Sequence, residues 1–163
     1  MPFNAAGVAS SINGVYQSIL ADHMNVDAKA LLSAAWESAY HADAMAGVCP
    51  IAAVGPPANS AAIKQGIEAM VNNSGSDINA LAQAFADYWA TSHLTPTGSA
   101  VAIVGNDAAT KVSAYKSAIQ GCITDQDTQP YFENLLKAVE DVTKTIIWTG
   151  VTSTGSSVTG TIS

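Results

Sequence analysis

Arginine is absent from this chain, and its six basic residues are all lysine, scattered at positions 29, 64, 111, 116, 137 and 144. Arginine supplies the planar, bidentate fork that reads phosphates and base edges. Thirteen acids leave a net charge of −7, and the lysines form no cluster. The counterion release that drives nucleic-acid binding has no source here, and an anionic membrane surface is excluded for the same reason. Charge of either sign is scarce, at 12 % of residues against about a quarter in ordinary globular domains. The surface must be built from Ser, Thr, Asn, Gln and Ala, a texture that suits a protein facing other proteins.

Other absences narrow the field further. Cys49 and Cys122 are the only cysteines, without CxxC spacing or a neighbouring His pair, so no zinc site is expected. They are either two thiols or, in an oxidising setting, one long-range disulfide. No run reaches the ~18 apolar residues of a membrane span. The start, MPFNAAGVASSING, lacks the basic and apolar regions of a signal peptide, so synthesis in a cytoplasm is expected. No GxSxG elbow, GxxxxGK[ST] loop or GxGxxG fingerprint is present. His23, His41 and His93 do not share a helical metal-binding spacing, and Asp125 and Asp127 open no calcium loop, because Leu136 stands where its closing Glu belongs. Catalytic, metal and cofactor sites are therefore not expected, and the chain does not read as an enzyme.

What is present is mostly helix. The apolar fraction is 48 %, much of it Ala, which implies closely approaching helices with modest burial per residue. Asn4 caps a first helix to about His23, with Val8, Ile12, Val15 or Tyr16, and Ile19 on one stripe. Asp27 caps a second, AKALLSAAWESAYHADAMAG, whose expected inner stripe is Leu31, Ala35, Ala39 and Ala42. A third, AAIKQGIEAMV, carries Ile63, Ile67, Met70 and Val71. A fourth, INALAQAFADYWATSH, follows an Asp77 cap and buries Ile78, Leu81, Phe85 and Trp89. Asp107 is expected to cap a fifth, AATKVSAYKSAIQ. The sixth, YFENLLKAVEDVTKT, presents Phe132, Leu135, Leu136, Val139 and Val142, with Pro130 in its first turn. Trp36, Tyr40, Tyr88 and Trp89 read first as helix packing and second as an aromatic groove.

The expected fold is mainly α, about six helices in a bundle, becoming α+β if the short extended segments join into a sheet. Residues 1–145 form the helical body. Segments 27–58 and 77–108 share an order of Asp cap, helix, Gly-containing break, short apolar strand and helix, consistent with a degenerate repeat. Residues 146–163 form a β-hairpin or arm in which β-branched residues alternate. This end is uncharged and lacks Pro, so it has none of the usual protections of an exposed strand edge. Its backbone is satisfied either on the chain's own IAAVG and VAIVG segments or by strand addition to a neighbouring subunit, or it stays unordered.

Small acidic chains rich in Ala, Ser, Thr and Gly, with helices and an end like Val158 to Ser163, resemble virion structural proteins of tailed bacteriophages. That resemblance implies an assembly role as connector, tail or baseplate component, or capsid decoration, in a virion made in the host cytoplasm. Its partners would be other copies of itself or neighbouring structural proteins. Ile146, Trp148, Val151, Val158 and Ile162 are then the expected anchors. The runner-up is a small helical binding or regulatory module using the aromatic groove around Trp36 and Trp89.

Overall fold

A computed structural model of the chain describes residues 4–22, 27–46, 48–49, 52–54, 61–72, 78–90, 94–96, 101–122 and 128–161. Its helices are α1 Ala5–Ala21, α2 Ala28–Ala46, α3 Ala62–Asn72, α4 Ile78–Ala90, α5 Val112–Cys122 and α6 Thr128–Thr143. A 3-10 turn, Ala108–Lys111, leads into α5. The strands are β1 Val48–Cys49, β2 Ala52–Val54, β3 Leu94–Pro96, β4 Val101–Asn106, β5 Ile147–Thr152 and β6 Ser157–Thr161.

Local chemistry starts most of these elements. Asn4 Oδ1 accepts from the Gly7 N–H at 3.0 Å, and Asp27 Oδ1 from the Ala30 N–H at 3.0 Å, so both cap as expected. Asp107 does not. Its carboxylate is drawn across to β5, where Oδ1 accepts from the Ile147 N–H at 2.7 Å, and Oδ2 pairs with Lys111 at 3.0 Å. Asn106 supplies the turn instead, with Oδ1 accepting from the Ala108 N–H and Nδ2 donating to the Trp89 carbonyl. The Asp77 cap lies outside the described residues.

The helices form a closed ring. Each packs on the next, and α6 returns to α1. Aromatic contacts show that neighbours alternate in direction. Tyr16 of α1 meets Phe132 at the start of α6, Phe85 of α4 meets Tyr115 early in α5, and Tyr40 of α2 meets Tyr88 late in α4. The C-termini of α2, α4 and α6 therefore share one end of the ring.

Inside lie Ile12, Trp36, Tyr40, Ile63, Ile67, Leu81, Phe85, Tyr88, Trp89, Tyr115, Ile119 and Val139, all essentially inaccessible. In α2 the inner face differs from the Ala stripe expected. Ser33, Trp36 and Tyr40 point inward, whereas Leu31 is 44 % exposed and Ala42 is on the surface. Of the expected stripe Ala39 does pack against the core, but the two large aromatic rings bury far more area than the alanines and set the rotation of the helix. Gly66 lets α3 approach α4 closely, since a Cβ there would stand 2.5 Å from the Cβ of Ala84.

The strands form two antiparallel sheets, each in sequence order, at the end shared by those C-termini. Hydrogen bonding groups them as β1-β2-β3 and β4-β5-β6, with β3 alongside β4. Residues 146–161 are thus integrated into the body: β5 pairs with β4, the VAIVG segment, with a bulge between Ile103 and Gly105. A regular register runs through the whole. Helices α2, α4 and α6 begin at Ala28, Ile78 and Thr128, and α3 and α5 at Ala62 and Val112. The chain reads as three successive helix-helix-strand-strand units, each a step of about fifty residues, and segments 27–58 and 77–108 straddle two of them.

Candidate functional site

The strand layer is where the chemistry of this chain is most unusual. Every Asp, Glu and Lys lies between residues 22 and 43, 64 and 87, or 107 and 144. The remaining stretches, 1–21, 44–63, 88–106 and 145–163, hold no charged side chain at neutral pH apart from any charge on His93; the first carries α1, and the other three contain every described strand. Charge is therefore segregated onto helices α2 to α6 and the turns beside them, while the strand layer and α1 are bare. Of the three strand-bearing stretches only the last stood out in the sequence. The other two are equally bare, but their strands are short and flanked by helices, so they blend into ordinary breaks.

The five expected anchors separate in the structure. Ile146 and Trp148 are fully buried and belong to the ring's own core, while Val158 is half-buried and packs against it. Val151 is half-buried in β5, and Ile162 lies outside the described residues. Ile146 and Trp148 are thus spent on internal packing and offer a partner no surface. The reason is period two. In β5, Trp148 and Gly150 face the core, and Ile147 and Thr149 face solvent. Opposite them in β6, Gly160 pairs with Trp148 and Val158 with Gly150. Gly160 is small because the indole lies over it, and a Cβ there would stand 2.7 Å from Trp148 Cε2.

The outer face carries Ile147, Thr149, Ser157, Thr159 and Thr161, all exposed, and Val104 at the bulge is 71 % exposed. The hairpin closes through Gly155 at φ 81°, with the Thr152 N–H donating to the Ser156 carbonyl and the Gly155 N–H to that of Thr152. Thr152 and Ser156 form a hydrogen-bonded pair. By alternation, the backbone groups of Ser157 and Thr159 point away from β5, toward the open edge of the sheet.

Elsewhere the polar groups are arranged to stabilise. Tyr88 Oη meets His41 Nδ1 at 2.8 Å, Trp89 Nε1 donates to Tyr40 Oη at 2.8 Å, and Tyr115 Oη pairs with Thr143 Oγ1 at 2.9 Å. Burial, and then the neighbouring Tyr40, push the Tyr88 hydroxyl well above its usual range. Burial does the same for Tyr115 and also raises Tyr131. Trp36 and Trp89, expected to flank a groove, are each 1 % exposed, so no groove opens between them. Two depressions do mark the surface. One of about 250 Å³ lies between α3 and α4 beside Gly66, Gln83 and Asp87. The other, of about 350 Å³, lies between α1 and α2 over Ala35, Ala39 and Ala42. Neither gathers titratable groups. Among the described residues no three His, Cys, Asp or Glu side chains could hold a metal ion. No described helix is long and apolar enough to cross a membrane.

Compared with known protein families, curated proteins and solved structures, the chain matches none.

Proposed function

We propose that this protein is a structural assembly component that makes repeated protein-protein contacts through its uncharged strand layer. The observation that supports this is the charge segregation. A molecule of net charge −7 repels its own kind wherever acids face one another; the strand layer, like α1, carries none, and it alone of the two also offers strand edges. Exposed Ile147 and Val104 add apolar contact area there. The finer setting rests on the resemblance of residues 158–163 to phage structural proteins, as a connector, tail or baseplate component, or capsid decoration in a virion. Partners are further copies of the chain or neighbouring structural proteins.

The test is mass by light scattering behind size exclusion, over two decades of concentration and at low and high salt, with negative-stain imaging of the concentrated sample. An uncharged interface holds or strengthens as salt rises, because no attraction is screened while the residual acidic repulsion is. Regular oligomers that persist in high salt support the reading. A monodisperse monomer under every condition refutes assembly by the chain alone. Oligomers that dissolve as salt rises refute the uncharged interface.

A further inference from the structure

We propose that β6 is a self-pairing edge, so that two copies of this chain join antiparallel across a two-fold axis, β6 against β6. The proposal deepens the assembly reading above and rests on it. The sheet β4-β5-β6 ends at β6. The Ile147 carbonyl accepts from the Asp107 N–H on the β4 side, and the Ile147 N–H donates to Asp107 Oδ1, so Ile147, Thr149 and Val151 turn their backbone groups toward β4. Their opposites Ser157 and Thr159 then direct an N–H and a carbonyl each out of the sheet. Both residues are exposed, and no described element pairs with that side of β6.

Natural edges are blunted by Lys, Pro, bulges or an inward charge. This one, SVTGT, has none of them, and no charged side chain occurs after Lys144. Charge and symmetry select the occupant: the acidic body repels a partner strand bearing acids, a second β6 brings no charged side chain, and one and the same edge serves on both copies. Pairing about Val158 sets Ser157 against the partner's Thr159 and the reverse, so the outward N–H groups of these two residues each meet a carbonyl of the other strand. Two copies meeting here keep the acids of their helical rings on either side of an uncharged seam.

Two double variants test this through exposed positions that carry no core packing: Ser157→Lys with Thr159→Lys, and Ser157→Glu with Thr159→Glu. Each is examined alone and in equal mixture by sedimentation velocity. Wild type is expected to dimerise with rising concentration. Each double variant alone should associate at least about tenfold more weakly, and the mixture should recover association to within a few-fold of wild type. Hydrogen exchange supplies a second readout, since the amides of Ser157 and Thr159 should gain protection only as dimer accumulates. Oligomers equally strong in wild type and both variants would overturn edge pairing while leaving the assembly reading standing. Edge amides still unprotected in the wild-type oligomer would do the same. A wild type that stays monomeric throughout overturns both.

Discussion

Replacing Gly160 with Ala asks whether the C-terminal hairpin is part of the body or an appendage. The new Cβ would stand 2.7 Å from Cε2 and 2.9 Å from Nε1 of Trp148, where relaxed contacts need about 3.5–4.0 Å. The indole has to retreat by about 1 Å. It is fully buried in the core cluster, which leaves little slack. Overpacking of this kind costs about 1–3 kcal/mol, offset by about 0.4–1 kcal/mol from the lower entropy of the unfolded Ala chain. A net loss of about 1–2 kcal/mol lowers Tm by roughly 2–8 °C in a chain of this length. Urea and thermal unfolding, followed by circular dichroism and tryptophan fluorescence, measure it. Gly105→Ala is the control, since a Cβ there meets nothing within 4 Å and should be nearly neutral. In a Trp148→Phe background the cost of Gly160→Ala should shrink by at least about 0.5 kcal/mol, the signature of direct contact. If Gly160→Ala is as stable as wild type, the indole is not seated on β6 and the docking of the hairpin described above is wrong.

Further outcomes follow from the same contacts. A chain ending at Lys144 loses Ile146 and Trp148 from the core, each worth about 2–5 kcal/mol, which rivals a typical total stability of about 5–15 kcal/mol. It should fail to unfold cooperatively; a well-folded truncated monomer would show the strand layer to be dispensable. Asp107→Ala should cost about 1–2 kcal/mol and Asp107→Asn clearly less, because Asn keeps an acceptor for the Ile147 N–H and gives up only the Lys111 pair. Equal losses in the two variants would assign the effect to the ion pair. Tyr88, Tyr115 and Tyr131 have raised pKa values, so their contribution is intact below the unfolded value near 10 and is lost as pH rises above it. Stability should fall above about pH 10, by up to about 1.4 kcal/mol per pH unit for each hydroxyl that ionises only on unfolding. Urea midpoints that stay flat to pH 11.5 would contradict their burial. Tyr88→Phe removes the hydroxyl that meets His41 and should cost about 0.5–1.5 kcal/mol in urea unfolding. Wild-type stability in that variant would mean that the bond contributes nothing.

Much of this architecture is written in the sequence by itself. Asn4 and Asp27 start their helices because a short polar side chain beside its own backbone needs nothing from elsewhere. The spacing of Val8, Ile12 and Ile19, and of Leu81, Phe85 and Trp89, fixes inner faces through the helical repeat alone. The alternation from Ile146 onward determines a hairpin, and the distribution of Asp, Glu and Lys leaves the strand-bearing stretches without charged side chains, although only the fold gathers them into one layer. What tertiary structure decided are the choices between partners remote in sequence. Asp107 gave up its cap because the Ile147 N–H, forty positions on, came within 2.7 Å once β5 had paired with β4. In α2 the face was set by Trp36 and Tyr40, whose rings find Phe132, Phe85 and Tyr88 only when the ring of helices closes. Ile146 and Trp148 look like sticky ends of an arm when read along the chain, and became core because Gly160 opened a seat for the indole across the hairpin. Local hydrogen bonds and periodicities are properties of a short stretch, whereas which of two equally apolar faces is buried depends on area that only distant segments supply.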